Sequence, residues 1–246
     1  NEPHECRMWG MIADSLPHDV VLSQLISAPS SLKKLGASNR DGWGLVYYNA
    51  SAPVIRRGFP PASTDPNFDL AANEIADSNG WVAMGHARIR SQGGIPSWGD
   101  PHPFVRYKGG QWWAFAHNGN VNKNILKSLI GSAYLAANPP TYGTSWDDPN
   151  IVDSDLYSLW VLKCIEANGW NVTLGVAQAI TDLTSAGDNG AANFLLTNGE
   201  TMWGFRRGNT LYYYSQTSSP RYTTIASQPP NSSQTGWVQI VDYNFI

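Results

Sequence analysis

The sequence predicts a layered α+β domain in which β-sheets are covered by helices. Short runs rich in β-branched and aromatic residues lie toward both ends of the 246-residue chain, as is typical of strands. Between them lie two longer segments with apolar residues at helical spacing. No repeat, charge block or low-complexity tract divides the chain, so we expect the strands and helices to pack as one layered unit.

The N-terminal part of the chain predicts strands and helices in alternation. Residues 6–13 are apolar enough for a buried strand, and residues 16–26 carry apolar side chains at helical spacing. Turn chemistry at 39–44 then leads into a hairpin. The further elements predicted here are hairpin strands at 45–48 and 53–57, a helix at 68–76, and a strand at 81–87 that delivers Arg88 to its end.

The C-terminal part begins with a Gly- and Pro-containing loop at 91–103, and loops of that length usually carry function. A strand at 112–116 follows and ends at the turn residues His117, Asn118 and Gly119. The remaining predicted elements are helices at 121–130, 154–167 and 172–184, and a β-meander of short runs between residues 193 and 240.

Composition and charge exclude some classes of partner. The net charge is -3, the pI is about 5.9, and the basic residues are scattered, so we expect neither nucleic acid nor an anionic membrane as a partner. Charged residues make up 14% of the chain, against a usual figure of about 25%. This composition favours a secreted or periplasmic protein over a cytoplasmic one.

Several residues could carry chemistry, although each one alone also has an ordinary structural explanation. Of the two cysteines, Cys164 lies in an apolar run and reads as a small buried hydrophobe, while a disulfide to Cys6 stays an alternative. Cys6 lies beside Arg7 at the very start of the predicted first strand. The candidates taken from the residues alone are Cys6, Asp41, Arg88, His102, His117, Asn118 and Asp153.

Ordered motifs run along most of the chain. They are Cys6-Arg7-Met8-Trp9-Gly10, Asp41-Gly42-Trp43-Gly44, Gly85-His86-Ala87-Arg88 with Ser91, Asp100-Pro101-His102-Pro103-Phe104, Phe115-Ala116-His117-Asn118-Gly119, and Asp153-Ser154-Asp155. Their order resembles that of the class II glutamine amidotransferases, and the later runs Asn193-Phe194-Leu195-Leu196 and Ala226-Ser227 are similar to the small stand-alone members. The resemblance implies a four-layer αββα sandwich of the N-terminal-nucleophile hydrolase type.

The resemblance also implies a catalytic mechanism. Cys6 is expected to be the nucleophile, and its own freed α-amine, with a pKa near 8, is suited to take the thiol proton. The Asn118 side-chain amide and the Gly119 backbone N–H are expected to stabilise the oxyanion. The products would be ammonia or an amine, released from glutamine or a γ-glutamyl compound, and a Cys6 thioester that water hydrolyses.

The resemblance likewise implies which residues bind the substrate. Arg88 is expected to bind the α-carboxylate of the substrate, because a guanidinium can make two parallel charge-assisted hydrogen bonds. Asp153 is expected to bind the α-ammonium group, and Ser91 to add a hydrogen bond. No cofactor or metal is implied. Asp155 stands where the family commonly has Glu, at a helix start, and we expect it to be structural.

The five residues before Cys6 depart from the family pattern. An acylated nitrogen cannot act as a base, so we predict that residues 1–5 are a leader or propeptide, cut between Glu5 and Cys6 by the protein itself or by another protease. Residues 6–246 would then be a single amidotransferase-like domain. Because no acceptor domain follows in this sequence, any ammonia acceptor is expected to be a separate protein.

Three other interpretations stay open at this point. Cys6 could pair with His102 or His117 as in a papain-like thiol hydrolase. A zinc site could gather His86, His102, His117 and Asp153, although their spacing follows no compact ligand motif. Eleven Trp and eleven Tyr could instead line a carbohydrate- or ligand-binding face on a catalytically silent member of the same fold.

Overall fold

The computed structural model describes residues 5–90 and 102–246, and within these the chain folds into four layers. Two antiparallel sheets face each other, and helices cover the outer face of each sheet. The predicted αββα sandwich is therefore confirmed. Among the described helices, none is long and apolar enough to cross a lipid bilayer.

The first sheet has seven strands in the order β11-β9-β10-β1-β4-β2-β3. The strand at the N-terminus lies at its centre, between β10 and β4. The strands are β1 (Arg7–Ala13), β2 (Trp43–Tyr48), β3 (Val54–Gly58), β4 (Val82–Ala87), β9 (Tyr212–Gln216), β10 (Tyr222–Ala226) and β11 (Val238–Gln239). The predicted hairpin is confirmed, since β2 and β3 pair antiparallel.

The second sheet has four strands in the order β5-β6-β7-β8. They are β5 (Phe104–Lys108), β6 (Gln111–Gly119), β7 (Ala192–Thr197) and β8 (Met202–Phe205). Strand β6 is long and central, and it carries the His-Asn-Gly motif at its C-terminal end. The sheet therefore presents this motif at one edge of the sandwich.

Helices form the two outer layers. The first sheet is covered by α1 (His18–Leu22), which continues as a π-helical turn (Ser23–Ser27), and by α2 (Leu32–Leu35) and α3 (Pro66–Asp77). The second sheet is covered by α4 (Lys123–Ile130), α5 (Ser132–Ala137), α6 (Asp153–Ala167) and α7 (Val172–Ser185). The long predicted helices are thus confirmed, while the short α2 and α5 were not predicted.

Alternation along the strands builds the three apolar layers of the core. On β1, Trp9 and Met11 pack against the first helical layer, whereas Met8 lies between the two sheets. On β6, Phe115 packs against the second helical layer and Ala116 lies between the sheets. Small side chains such as Ala116 let the sheets approach closely, which brings the ends of β1, β4 and β6 to one place.

The predicted meander over residues 193–240 is wrong in one respect. Strands β7 and β8 belong to the four-stranded sheet, and β9, β10 and β11 belong to the seven-stranded sheet. Short runs separated by turn residues look the same in both sheets, because the local pattern carries no information about the partner strand. Strand β5 was also missed, since it lies directly after the long loop.

Gly44 shows why the Asp-Gly-Trp-Gly motif needs a glycine at its last position. A Cβ atom added to Gly44 would lie 1.9 Å from the carbonyl O of His102, far inside any allowed contact. The backbone around His102 therefore packs directly on β2. This contact fixes the chain at the point where it returns toward β5.

Candidate active site

A small cavity lies where the ends of several elements meet. Its volume is about 20 Å³, and its walls are formed by Cys6, Arg88, Ile89, His102, His117, Gly119, Asp153 and Ser154. Cys6 precedes β1, Arg88 follows β4, Gly119 ends β6 and Asp153 begins α6. The structure thus brings together four of the predicted site residues, which are far apart in sequence.

The Cys6 thiol is held in this cavity by a backbone carbonyl. Its Sγ donates to Ile89 O at 3.4 Å, and the cysteine is not part of a disulfide. Burial raises the pKa of the thiol from its ordinary 9.0 to about 11, while Arg88 and Arg7 lower the pKa and Asp153 raises it. Burial outweighs the two cations, so the thiol is protonated at neutral pH.

Arg88 is fixed by the turn before β2. Its backbone N–H donates to Gly42 O at 3.0 Å, and its carbonyl accepts from the Asp41 N–H at 2.9 Å. The residue is 6% exposed, and burial lowers the pKa of its guanidinium. A guanidinium remains protonated through such a shift, so Arg88 supplies a positive charge beside Cys6.

Asp41 does not line the cavity. Its Oδ2 accepts from the Arg90 N–H at 2.7 Å, and its own N–H binds the Arg88 carbonyl. Asp41 therefore holds the chain segment on both sides of Ile89, the residue whose carbonyl receives the Cys6 thiol. This places Asp41 among the residues that position the site.

Asp153 lies in the first turn of α6 and is 6% exposed. One of its oxygens, Oδ2, accepts from the Val121 N–H at 2.8 Å, which ties the helix start to the segment after β6. Asp155 has a different role, since it binds Arg106 and accepts from both the N–H and Oγ1 of Thr141. The contacts of Asp155 agree with the structural role expected for it.

Only one end of the Asn118 side-chain amide has a hydrogen-bond partner among the described residues. Its Oδ1 accepts from Asn209 Nδ2 at 3.1 Å, whereas its Nδ2 is buried and has no hydrogen-bond partner among the described residues. The residue is 1% exposed. Because an unpaired buried donor costs about 1–3 kcal/mol, this amide is a candidate hydrogen-bond donor to a bound group.

Gly119 lines the cavity through its backbone. Asn120 N–H donates to Ala191 O at 2.8 Å, and successive N–H groups of a strand point to opposite sides, so the Gly119 N–H points away from β7. A Cβ atom on Gly119 would lie 1.9 Å from Ala191 O. Only glycine therefore fits between Ala191 and the cavity.

Three buried histidines support these walls. His86 Nε2 lies 3.1 Å from His117 O, and the His86 ring stacks on the His102 ring at 4.1 Å between centroids. His117 Nδ1 lies 2.9 Å from Ser154 Oγ. Burial lowers the pKa of all three rings, well below the ordinary value for His86 and His102. They are therefore neutral at physiological pH.

Some functional residues were not found from the sequence. Asn39 and Asn209 hold backbone and side-chain atoms at the site, but Asn in a turn-rich segment usually reads only as a turn residue. Ile89 contributes a carbonyl, which no side-chain motif can reveal. Ser91 lies outside the described residues. Within residues 5–90 and 102–246, no three His, Cys, Asp or Glu residues are arranged to hold a metal ion.

Known proteins share both sequence and fold with this chain. The family model for class II glutamine amidotransferases matches residues 6–227. A protein of Haemophilus influenzae with the name "Putative glutamine amidotransferase" is 28% identical over 208 residues, which is 80% of this chain and 61% of that protein. The chain thus spans about three fifths of the length of this curated relative.

Solved structures show the same fold at low sequence identity. A glutamine aminotransferase class-II domain protein from Silicibacter pomeroyi superposes with a TM-score of 0.63 at 17% identity, over 98% of this chain and 93% of that one. The glutamine phosphoribosylpyrophosphate amidotransferase of B. subtilis gives 0.58 at 16% identity, over 90% of this chain and 42% of that one. The fold is that of the N-terminal-nucleophile amidotransferases.

The match of the family model extends from the proposed nucleophile through the end of β10. The chain belongs to the class II glutamine amidotransferases.

Proposed function

We propose that the protein hydrolyses the side-chain amide of glutamine or of a γ-glutamyl compound through a Cys6 thioester, with the freed Cys6 α-amine as general base. The observation that carries this proposal is the meeting of Cys6, Arg88, Gly119 and Asp153 around one cavity. Attack of Sγ on the δ-carbonyl carbon would release ammonia or an amine, and water would then cleave the thioester.

The histidine pKa values favour the α-amine over a histidine as the base. A papain-like pair needs a thiolate beside a protonated imidazole. Burial opposes such an ion pair, because it raises the pKa of Cys6 and lowers the pKa of His102 and His117. An α-amine has a pKa near 8, close enough to neutral pH for its neutral form to be available to accept the thiol proton.

Two donors suit the oxyanion. Asn118 Nδ2, which has no hydrogen-bond partner among the described residues, and the Gly119 N–H both belong to the end of β6. Such donors typically contribute about 2.7–4 kcal/mol each to transition-state stabilisation. Asn209 holds the other end of the Asn118 amide. The amide is therefore oriented before the substrate arrives.

Two opposite charges suit the amino-acid head group. Arg88 would bind the α-carboxylate and Asp153 the α-ammonium group, each by charge-assisted hydrogen bonds. Ser91, proposed as a third contact, follows Arg88 by three positions. The cavity of about 20 Å³ has room for one water molecule, so glutamine binding requires the walls to move apart.

Intact mass before and after a glutamine analogue with an electrophilic δ-carbon tests the proposal. In a chain that starts at Cys6, we expect one adduct, located at Cys6, together with ammonia release from glutamine. Cys6→Ala should abolish both, whereas Cys164→Ala should retain both, because Cys164 is buried in the helical layer. Absence of both an adduct and ammonia release would favour a catalytically silent binding protein.

The substrate and any acceptor are part of the proposal. The site offers opposite charges for a glutamyl head group, and its walls would have to move apart to admit one. We propose a small-molecule glutamine or γ-glutamyl substrate, no cofactor, and a separate protein as acceptor if the ammonia is used. Activity that persists in a chelator would exclude the zinc alternative.

A further inference from the structure

A buried ion pair lies close to the candidate site, although neither partner lines the cavity. Arg207, which follows β8, places its Nη2 2.6 Å from Oδ1 of Asp188, which lies between α7 and β7. The two side chains are 2% and 4% exposed. Two buried charges lose hydration that their attraction only partly offsets, so such a pair is weak evidence for added stability. The groups that the pair holds in place indicate a different role for it.

Arg207 holds the segment that leads into β7. Its Nε donates to Gly190 O at 2.8 Å, and its backbone carbonyl accepts from the Ala192 N–H at 2.8 Å. Between these two contacts, Ala191 O accepts from the Asn120 N–H. A Cβ atom on Gly190 would lie 2.4 Å from Asn120 O, so the two backbones are in direct contact. Arg207 therefore fixes the surface on which the end of β6 rests.

Asp188 binds the same segment and also the chain that follows β6. Its Oδ1 accepts from the Gly190 N–H at 3.2 Å as well as from Arg207. Its Oδ2 accepts from the Asn122 N–H at 2.7 Å. One buried carboxylate thus connects the segment that leads into β7 with the segment that leaves β6.

These contacts surround Gly119, whose N–H is the proposed oxyanion donor. The N–H of Asn120, the next residue, is held by Ala191 O, and the N–H of Asn122 is held by Asp188. The direction in which the chain leaves β6 is therefore set by the ion pair and by the segment that it holds. The orientation of the Gly119 peptide depends on the same contacts.

We propose that Arg207 and Asp188 are a positioning pair that holds the Gly119 N–H where the oxyanion forms. The inference rests on the proposed function, which assigns that donor. Oxyanion donors act at about 2.7–3.1 Å from the developing charge, and a displacement of about 1 Å can slow a reaction about a hundredfold. The pair does not touch the substrate, and it acts through the backbone of residues 190–192 and 120–122.

The test compares kcat and KM for glutamine in variants of the chain that starts at Cys6. A double variant, Arg207→Met with Asp188→Asn, removes both charges, so no unpaired charge is left buried and the variant is expected to fold. Its kcat should fall about a hundredfold. Arg207→Lys keeps the charge but loses the Nε contact with Gly190, so its kcat should fall about tenfold.

Two further readouts separate positioning from general damage to the site. KM should change less than about threefold, because Asp153 keeps its own contact with the Val121 N–H and only a transition-state contact is lost. The iodoacetamide rate of Cys6, measured in a Cys164→Ala background, should stay within about twofold of the wild type, because alkylation of a thiolate uses no oxyanion donor. A purely structural role would lower the free energy of unfolding and leave kcat of the folded protein unchanged.

Arg106→Met is the matched control, because it breaks another buried ion pair, that of Arg106 with Asp155. It should lose stability, while its kcat should stay within about threefold of the wild type. A kcat at the wild-type level in the folded double variant would overturn the inference, and Arg207→Lys decides in the same way if the double variant does not fold. An equal fall of kcat in Arg106→Met, or a parallel loss of Cys6 alkylation, would also overturn it.

Hydrogen exchange of the Asn120 and Asn122 N–H groups reports on the pair independently of activity. Relative to the N–H groups of β4, both should exchange at least about tenfold faster in the double variant than in the wild type. A wild-type chain that is inactive on glutamine but shows this local acceleration sinks only the proposed function. An active wild-type chain whose folded variants show neither the loss of kcat nor the local acceleration sinks only this inference.

Discussion

At the scale of single residues, the free energy of the Cys6 thiolate decides when the site can react. Removal from water disfavours the anion more than Arg88 and Arg7 favour it. A chain that still carries residue 5 has no α-amine at Cys6 to take the proton. We therefore expect the protonation state of the Cys6 sulfur to differ between the uncleaved chain and the proposed mature form.

The pH dependence of alkylation checks this difference. With residues 1–5 attached, a thiol with a pKa of about 11 should react about tenfold faster for each pH unit between 7 and 10, because only the thiolate reacts. In a chain that starts at Cys6, we expect the rate to level off near the amine pKa of about 8. The measurement is the iodoacetamide rate in a Cys164→Ala background. A plateau below pH 9 in the uncleaved chain would contradict the prediction.

Asn118→Ala should separate catalysis from stability. Because the Asn118 Nδ2 has no described partner, its loss should lower kcat/KM by about a hundredfold to a thousandfold. The free energy of unfolding should fall by only about 1 kcal/mol, for the lost Asn209 contact. Glutaminase kinetics and urea unfolding measure the two effects.

Asn193→Ala is the matched control on the neighbouring strand. Asn193 Oδ1 accepts from the Arg207 N–H at 2.8 Å, and its Nδ2 donates to Asn209 O at 2.9 Å. Its loss should therefore lower the free energy of unfolding by about 1–3 kcal/mol, with a smaller effect on kcat/KM than Asn118→Ala. The reverse order of the two variants in kcat/KM would remove Asn118 from the oxyanion site.

At the scale of elements, strand and helix ends carry the site. Arg88 follows β4, Asn118 lies at the end of β6 and Asp153 begins α6. Regular hydrogen bonding stops at these ends, so the backbone and side chains become available to a substrate. The elements behind the ends are buried and fix the positions of these residues.

Asp153→Asn should change binding of the substrate and leave the helix start intact. The amide oxygen of Asn can still accept from the Val121 N–H, which now binds Asp153 Oδ2, but the negative charge is lost. We expect KM for glutamine to rise about tenfold to a hundredfold, as a charged hydrogen bond contributes about 1.5–3 kcal/mol. Steady-state kinetics measures the change.

Asp155→Asn serves as the control in the same helix turn. It removes the charge that pairs with Arg106 in a buried site, so the free energy of unfolding should fall by up to about 3 kcal/mol. KM should remain close to that of the wild type. An unchanged KM in Asp153→Asn, or an equal rise in both variants, would contradict the assigned role of Asp153.

Gly44→Ala tests the contact between β2 and the segment that returns to β5. The added methyl group would overlap the His102 carbonyl, so we expect the free energy of unfolding to fall by about 3 kcal/mol. Gly187→Ala is a control with open space around the position and only a positive φ of 92°, which should cost about 1 kcal/mol. Equal losses in the two variants would show that His102 moves aside freely.

At the scale of the whole molecule, three buried histidines near the ends of the strands are uncharged at neutral pH. His86, His102 and His117 are 1–3% exposed, and their pKa values are lowered by burial. Neutral rings can stack and accept hydrogen bonds there at little electrostatic cost. Their protonation would place positive charge beside Arg88, which already lowers the pKa of His86 and His102.

The stability of the protein should therefore depend on pH in the acid range. In the unfolded chain these rings bind protons below about pH 6.5, and in the folded chain they do so only at lower pH. The unfolded state then binds more protons, so stability is complete above pH 6.5 and falls as the pH decreases, by up to about 1.4 kcal/mol per pH unit for each ring. Urea unfolding between pH 5 and 8 measures the slope, which His86→Gln should reduce. A flat profile in this range would contradict the burial of neutral rings.

Much of the fold could be predicted from local patterns. The apolar run before Ala13, the turn chemistry around Gly42 and the helical spacing after Ser154 each determine an element from neighbouring residues alone. The sequence motifs also named Cys6 and Arg88 as candidates, because their chemical types suit a nucleophile and a carboxylate partner. What the sequence determined by itself was therefore the kinds of elements, the residue chemistry and the family resemblance.

The tertiary structure decided which elements and groups meet. Only folding assigned β7 and β8 to one sheet and β9 and β10 to the other, since a strand pattern does not specify its partner. Folding alone placed the Ile89 carbonyl at the Cys6 thiol and Asn39 at the Glu5 carbonyl. These contacts join residues that are distant in sequence, and each contact uses a backbone atom. Because every residue has the same backbone atoms, the residue types in the sequence do not indicate such contacts. Burial, and with it the pKa of Cys6, likewise depends on neighbours that the packed layers supply.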